Sequence, residues 1–178
     1  MKKGFIIMLL VSAVVLTGCG AKNEGAKTEC FDFTETEIVS ELESCLIDFV
    51  QMAVVDDKDK NIVSYISTDD VFTTDNEEVY ASMHYSIVCN KTTDEVQSIS
   101  YFIDKNSTKA AERFFYHLFS IASSIDPNAD SDTMADAIES DNGDVDGLYF
   151  GNNFTVSAYC IGDDYHAYFT PTKDTKGE

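Results

Sequence analysis

The stretch "VYASMHYSIVCNKTTDEVQSISYFID", residues 79–104, decides how the rest of the chain is read. In its first half Ala81, Met83, Tyr85, Ile87 and Cys89 alternate with Tyr80, Ser82, His84 and Ser86. Alternation with a period of two sends successive side chains to opposite faces of a strand, one apolar and one polar. "KTTDE" is a turn. "VQSISYFID" then returns with Ile99, Tyr101 and Ile103 opposed to Val96, Ser98, Ser100 and Phe102. Two such runs around a short polar turn predict a β-hairpin whose sheet is covered on one face only.

The same pattern recurs near the end of the chain. Phe154, Val156, Ala158 and Cys160 alternate with Thr155, Ser157, Tyr159 and Ile161. Gly162-Asp163-Asp164 turns the chain, and Tyr165 to Thr170 pairs back, with His166 expected opposite Ile161. Weaker strands are predicted at 62–66 and 71–73.

Helical periodicity fills the intervals. Ala111, Phe114, Phe115, Leu118, Ile121, Ala122 and Ile125 form a wide apolar stripe, with Asn106 or Ser107 as the expected cap and Asp126-Pro127 as the end. Here His117 falls on the rim of the stripe. Upstream, Thr34 and Glu37 have capping-box spacing. The stripe Ile38, Leu42, Cys45, Leu46, Phe49 and Ala53 predicts one long helix, stopped by "DDKDKN" at 56–61. "SDTMADAIES" reads as a short third helix. Strands that arrive as hairpins predict an α+β fold: an antiparallel sheet of about five or six strands with two long helices packed on one face.

Outside that body the N-terminus has its own logic. Lys2 and Lys3 precede an apolar run from Phe5 to Leu16, broken only by Ser12. A helix needs ~20 residues to span a bilayer, so the run fits the apolar region of a secretory signal. Its end, Leu16-Thr17-Gly18-Cys19, resembles the lipobox of bacterial lipoproteins. The resemblance covers the first 20 residues and extends to no part of the body. It implies a diacylglyceryl group on the Cys19 thiol and cleavage between Gly18 and Cys19. The chain then divides into a signal peptide at 1–18, a lipid-anchored flexible tether at 19–29 and a single domain at 30–178. The implied location is beyond the cytoplasmic membrane, held to its surface by lipid. The covalent lipid on Cys19 is the one non-protein group called for, and no other cofactor is expected.

Charge narrows the partners. The full chain carries −20, and loss of the signal removes two lysines and no acid, leaving −22. Nucleic acid is excluded as an expected partner, because binding it requires a basic patch that displaces counterions. Contact with the membrane is expected through the anchor only, since an anionic surface repels such a body. What remains is an extracytoplasmic protein or a small-molecule ligand.

Three groups of residues are candidates for chemistry. Tyr80, His84, Tyr159, His166 and Tyr168 fall on the polar faces of their strands and form a possible binding face. Asn142, Asp144 and Asp146 alternate ahead of Gly147, like the first half of an EF-hand calcium loop. Position twelve of that loop is Asn153, where a bidentate carboxylate is needed, so they are weak metal candidates and no metal site is assigned. Cys30, Cys45, Cys89 and Cys160 allow three disulfide connectivities outside the cytoplasm, whereas the apolar settings of Cys45, Cys89 and Cys160 suit buried thiols. No nucleophile, zinc or phosphate-loop motif is present, and no catalytic residue is assigned. A non-catalytic binding or accessory module is the leading expectation. A tethered hydrolase with dispersed catalytic residues and a calcium-dependent adhesion or inhibitor module are the alternatives.

Overall fold

The computed structural model describes residues 29–45, 47–68, 72–74, 77–79, 82–107, 109–139 and 145–172. Cys19, Tyr80, Asn142 and Asp144 lie outside them, as do all residues up to 28, where the signal peptide and most of the tether are expected. In chain order the elements are α1 (Glu35–Ser44), β1 (Phe49–Asp56), β2 (Lys60–Thr68), β3 (Phe72–Thr74), β4 (Glu77–Val79), β5 (Ser82–Asn90) and β6 (Val96–Asp104). Then come α2 (Ala110–Ile125), α3 (Ser131–Ile138), β7 (Gly147–Phe150), β8 (Phe154–Ile161) and β9 (Asp164–Pro171).

The fold is α+β, as the hairpin reading requires. The described strands form one antiparallel seven-stranded sheet, ordered β1-β2-β5-β6-β9-β8-β7, and a small β3-β4 ribbon. The sheet is therefore larger than the five or six strands expected. The two helices expected to be long are shorter, at 10 and 16 residues, and the third is short as expected, at 8. Both differences have one main cause. The segment read as the second half of the first helix is strand β1. Phe49 and Ala53 do recur at helical spacing, but the run is also rich in valine, whose branched Cβ favours extended backbone. Pairing with β2 decides the contest, and "DDKDKN" becomes a hairpin turn in which the Asp57 N–H donates to the Lys60 carbonyl at 3.0 Å.

The caps show local rules at work. Thr34 and Glu37 form the full capping box of α1. Asp130 caps α3 by accepting the Asp132 and Thr133 N–H groups, which holds its carboxyl below its ordinary value. At α2 the expectation fails: Lys109, in the left-handed region at φ 56°, occupies the N-cap, and neither Asn106 nor Ser107 caps the helix. Asn106 is drawn instead into a turn on the Asp104 carboxylate.

All three helices share one core with one face of the sheet. Met83, Tyr85, Ile87, Ile99, Tyr101, Ile103, Phe154, Val156 and Phe169 meet Ile38, Leu42, Phe114, Leu118, Ile121, Met134 and Ile138 there. Phe114 is fully buried, against the rings of Tyr101 and Tyr165, and its carbonyl accepts the Tyr101 hydroxyl at 2.9 Å. Thus α2 lies chiefly over β6 and β9. One break in the alternation of β6 is also explained. Val96 faces the core with Cys89, whereas Ser98, itself buried, shares the opposite face with Ser100 and Phe102, because the β5–β6 register shifts between Val88 and Cys89. A bulge of that kind moves the residues beyond it to the other face.

His117 is not on a rim. It is fully buried, with Nδ1 hydrogen-bonded to the Tyr85 hydroxyl. Its ring lies against those of Tyr85 and Tyr101 on the sheet. Beside it α1 packs on α2, and the Tyr116 hydroxyl donates to the Cys45 carbonyl at 2.5 Å. No disulfide joins the four described cysteines. Cys89 is buried, and burial, followed by the nearby Glu35 and Asp94 carboxylates and Cys30, pushes its thiol up to about 12. The Cys160 thiol donates to the Val145 carbonyl at 3.3 Å.

Candidate functional site

The face of the sheet away from the helices carries the candidate site. Side chains directly opposite each other in an antiparallel pair share a face. His84 pairs with Phe102, Phe102 with His166, and His166 with Tyr159. The pairing of His166 with Tyr159 corrects the expected partner Ile161, which lies opposite Asp164. The result is one row of four rings crossing β5, β6, β9 and β8.

The row is a stack. Centroids are 4.7 Å apart between His84 and Phe102, 5.4 Å between Phe102 and His166, and 5.5 Å between His166 and Tyr159. Interplanar angles are 7°, 25° and 6°. Neighbouring strands are ~4.7–4.9 Å apart, so rings standing upright on adjacent strands meet close to stacking distance. The faces of Phe102 and His166 are therefore covered by their neighbours. What the row turns outward is ring edge: two imidazoles and a phenol with their hydrogen-bonding atoms.

Around the stack the face is mostly hydroxylated. Tyr168 lies opposite Ser100 and Ser157, and Ser86 lies opposite Ser100 and Ser64. Tyr168 is exposed, and its neighbours are half-buried. Of the five residues proposed from sequence, His84, Tyr159, His166 and Tyr168 share this face, and Tyr80 lies outside the described residues. Phe102 was missed as a site residue although its polar-face position was legible. An apolar ring on the polar face of its strand was the available signal.

Burial against the stack lowers the proton affinity of both His84 and His166, and Asp164 partly offsets this. An imidazole that loses proton affinity on folding leaves the unfolded chain the stronger proton binder. Its contribution to stability is complete above the ordinary imidazole value of 6.5 and declines as pH falls through 6.5 towards the folded values. Replacing both histidines by phenylalanine keeps the stack and removes the titration. Urea midpoints of this double variant and of the wild type, measured from neutral pH to well below 6.5, should diverge in the variant's favour as pH falls. A difference that does not change with pH would sink this account.

The calcium-loop candidate is not assembled by the described residues. Asp146 donates its N–H to the Ile138 carbonyl at 3.1 Å and leads straight into β7, where the motif needs a free loop. Asn142 and Asp144 lie outside the described residues, and among those described no group of three His, Cys, Asp or Glu side chains could hold a metal ion. A cleft of about 620 Å³ opens at the β1–β2 turn, bordered by Lys58, Lys60 and Lys91 together with Asp57 and Asp59. Both signs of charge line it, and Lys91 is paired with Asp56, so it has no net preference for an anion. Among the described residues no helix is long and apolar enough to cross a membrane. Comparison of the chain with protein-family models, with curated proteins and with solved structures found no match in any of the three.

Proposed function

We propose that this chain is a lipid-anchored extracytoplasmic binding module that engages its ligand, a protein or a small molecule, on the helix-free face of the sheet. The observation that carries this reading is the four-ring row Tyr159, His166, Phe102 and His84. Recognition sites work best when their groups are held on rigid elements, and here each ring stands on a paired strand, braced by the next ring. The edges it presents suit a ligand bearing hydrogen-bonding groups, with the Tyr168 hydroxyl beside them. Anchoring rests on the sequence Leu16-Thr17-Gly18-Cys19 after a basic start and an apolar run. Two or more acyl chains hold a protein stably at a membrane, where one holds it only marginally.

The two halves of the proposal have separate tests. Metabolic labelling with radioactive palmitate should mark the wild-type chain and leave Cys19→Ala unlabelled and uncut. Mass spectrometry finding an unmodified Cys19 in the mature wild-type protein would remove the anchor from the proposal. For the face, the wild-type body and a Tyr159→Ala/Tyr168→Ala variant serve as paired baits against extracellular material. Capture should be lost in the variant while its circular dichroism is unchanged. Equal capture by both would place recognition elsewhere on the body.

A further inference from the structure

The open face of the sheet carries a second feature beside the ring row. One level along the strands, Ser64, Ser86, Ser100, Tyr168 and Ser157 lie opposite one another in turn. Strands β2, β5, β6, β9 and β8 thus each place one hydroxyl in a single line across the sheet. Neighbouring strands are ~4.8 Å apart, so the hydroxyls recur at about that interval. Leu148 continues the line onto β7, and Phe150, 69% exposed, stands on the same face beside it.

Charge and area narrow the occupant. On those five strands the ring level, the hydroxyl level and the next level, from Ile62 to Thr155, hold no lysine, arginine, aspartate or glutamate. Charged residues make up 25% of the chain, so an ordinary solvated face of this size would carry several. His84 and His166, with their proton affinity lowered by burial, are neutral near pH 7. An anion meets no fixed cation on these levels and is repelled by Asp104 and Asp164, which lie opposite each other beyond the ring level. A cation finds carboxylates only at that border. Strand spacing and rise give the uncharged area as roughly 500 Å². Each side of a standard protein interface buries ~800 Å², so the area suits a slender ligand better than a folded partner. What it offers throughout is hydroxyl, phenol and neutral imidazole, groups that both donate and accept. Sugars carry the same dual hydroxyls at their edges and apolar C–H groups on their faces, and one unit of a linear chain is close in length to the strand spacing. We propose that this face binds a neutral linear polysaccharide, laid across the strands along the hydroxyl line with one sugar to each strand. The exposed Tyr168 and Phe150 rings receive its C–H surfaces. The inference rests on the reading of this face as the binding site and names its ligand.

The test uses the chain from Gly20 to Glu178, which contains every element of the shared core. The probes are arrayed linear oligosaccharides: neutral chains of glucose, mannose, xylose or N-acetylglucosamine, and acidic chains of galacturonate. At least one neutral chain should bind, with affinity rising with length up to about five units, and the galacturonate chains should not bind. Tyr168→Ala, and separately Ser86→Glu, should weaken that binding by roughly tenfold or more with circular dichroism unchanged. Failure of every neutral chain to bind, equal binding of the acidic chains, or full binding by Tyr168→Ala would overturn the proposal. The site itself is judged apart from the sugar. A protein captured by the wild type and lost from Tyr159→Ala/Tyr168→Ala, with no neutral chain bound, would overturn the polysaccharide and leave the binding face standing.

Discussion

Phe114→Ala should lower the unfolding free energy by ~3–5 kcal/mol, the range for truncating a fully buried phenylalanine. The ring is 0% exposed and stands 5.3 Å from Tyr101, 5.7 Å from Phe115 and 5.6 Å from Tyr165, centroid to centroid. Its removal opens a void between α2 and the middle of the sheet. Tyr101 suffers twice, because its ring loses a neighbour while its hydroxyl remains tied to the Phe114 carbonyl. For a domain of this size the melting temperature should fall by roughly 10 °C. Phe115→Ala is the internal control, since Phe115 is only partly buried and should cost clearly less. Guanidinium unfolding of the three proteins gives the comparison. A loss below about 1 kcal/mol for Phe114→Ala would mean that α2 does not seat this ring in the core.

Gly147→Ala should be damaging out of proportion to a single methyl group. A Cβ at this position would lie 2.1 Å from the Ala137 carbonyl oxygen and 2.6 Å from the Ile138 Cα. Both are backbone atoms, so no rotamer change relieves the clash. Comfortable separations between carbon atoms are ~3.5–4.0 Å, so α3 and β7 must part. The movement would break the Asp146 to Ile138 hydrogen bond and the bridge between Glu139 and Val145. It would also withdraw Met134 and Ile138, both fully buried, from the core. Overpacking usually costs ~1–3 kcal/mol, and a backbone clash belongs at or above the top of that range. Amide exchange in α3 should accelerate along with the fall in global stability. Wild-type stability for Gly147→Ala would show that α3 is free to ride away from the sheet.

The close approach at Gly147 also bears on the calcium-loop motif. The sequence places this glycine where an EF-hand loop needs its sharp bend, and the structure uses it for contact between a helix and a strand. One residue type answers both demands because both require the absence of a side chain. Spacing alone could not separate them.

Several features were legible without tertiary information because they obey short-range rules. The Thr34–Glu37 capping box, the Asp126 end of α2, the helix at Ser131–Ile138 and the hairpin of β5 and β6 depend on neighbours a few residues away. The period-two pattern was enough to put His84 and His166 on a polar face. Four matters waited for the whole fold. Residues 49–55 combine helical spacing with a valine-rich composition that favours strand, and pairing with β2 chose the strand. His117 lies at the margin of its own stripe, and its burial comes with Tyr85 and Tyr101, side chains of the sheet that its helix covers. The break after Val96 came from a bulge that only the paired strand reveals. The ring row required β9 to lie between β6 and β8, so that rings more than 60 residues apart in sequence could stack. Periodicity records which face a side chain takes, because that depends on backbone geometry within a strand. Which side chains meet on that face depends on strand order and register, and those are settled by the burial of the core as a whole.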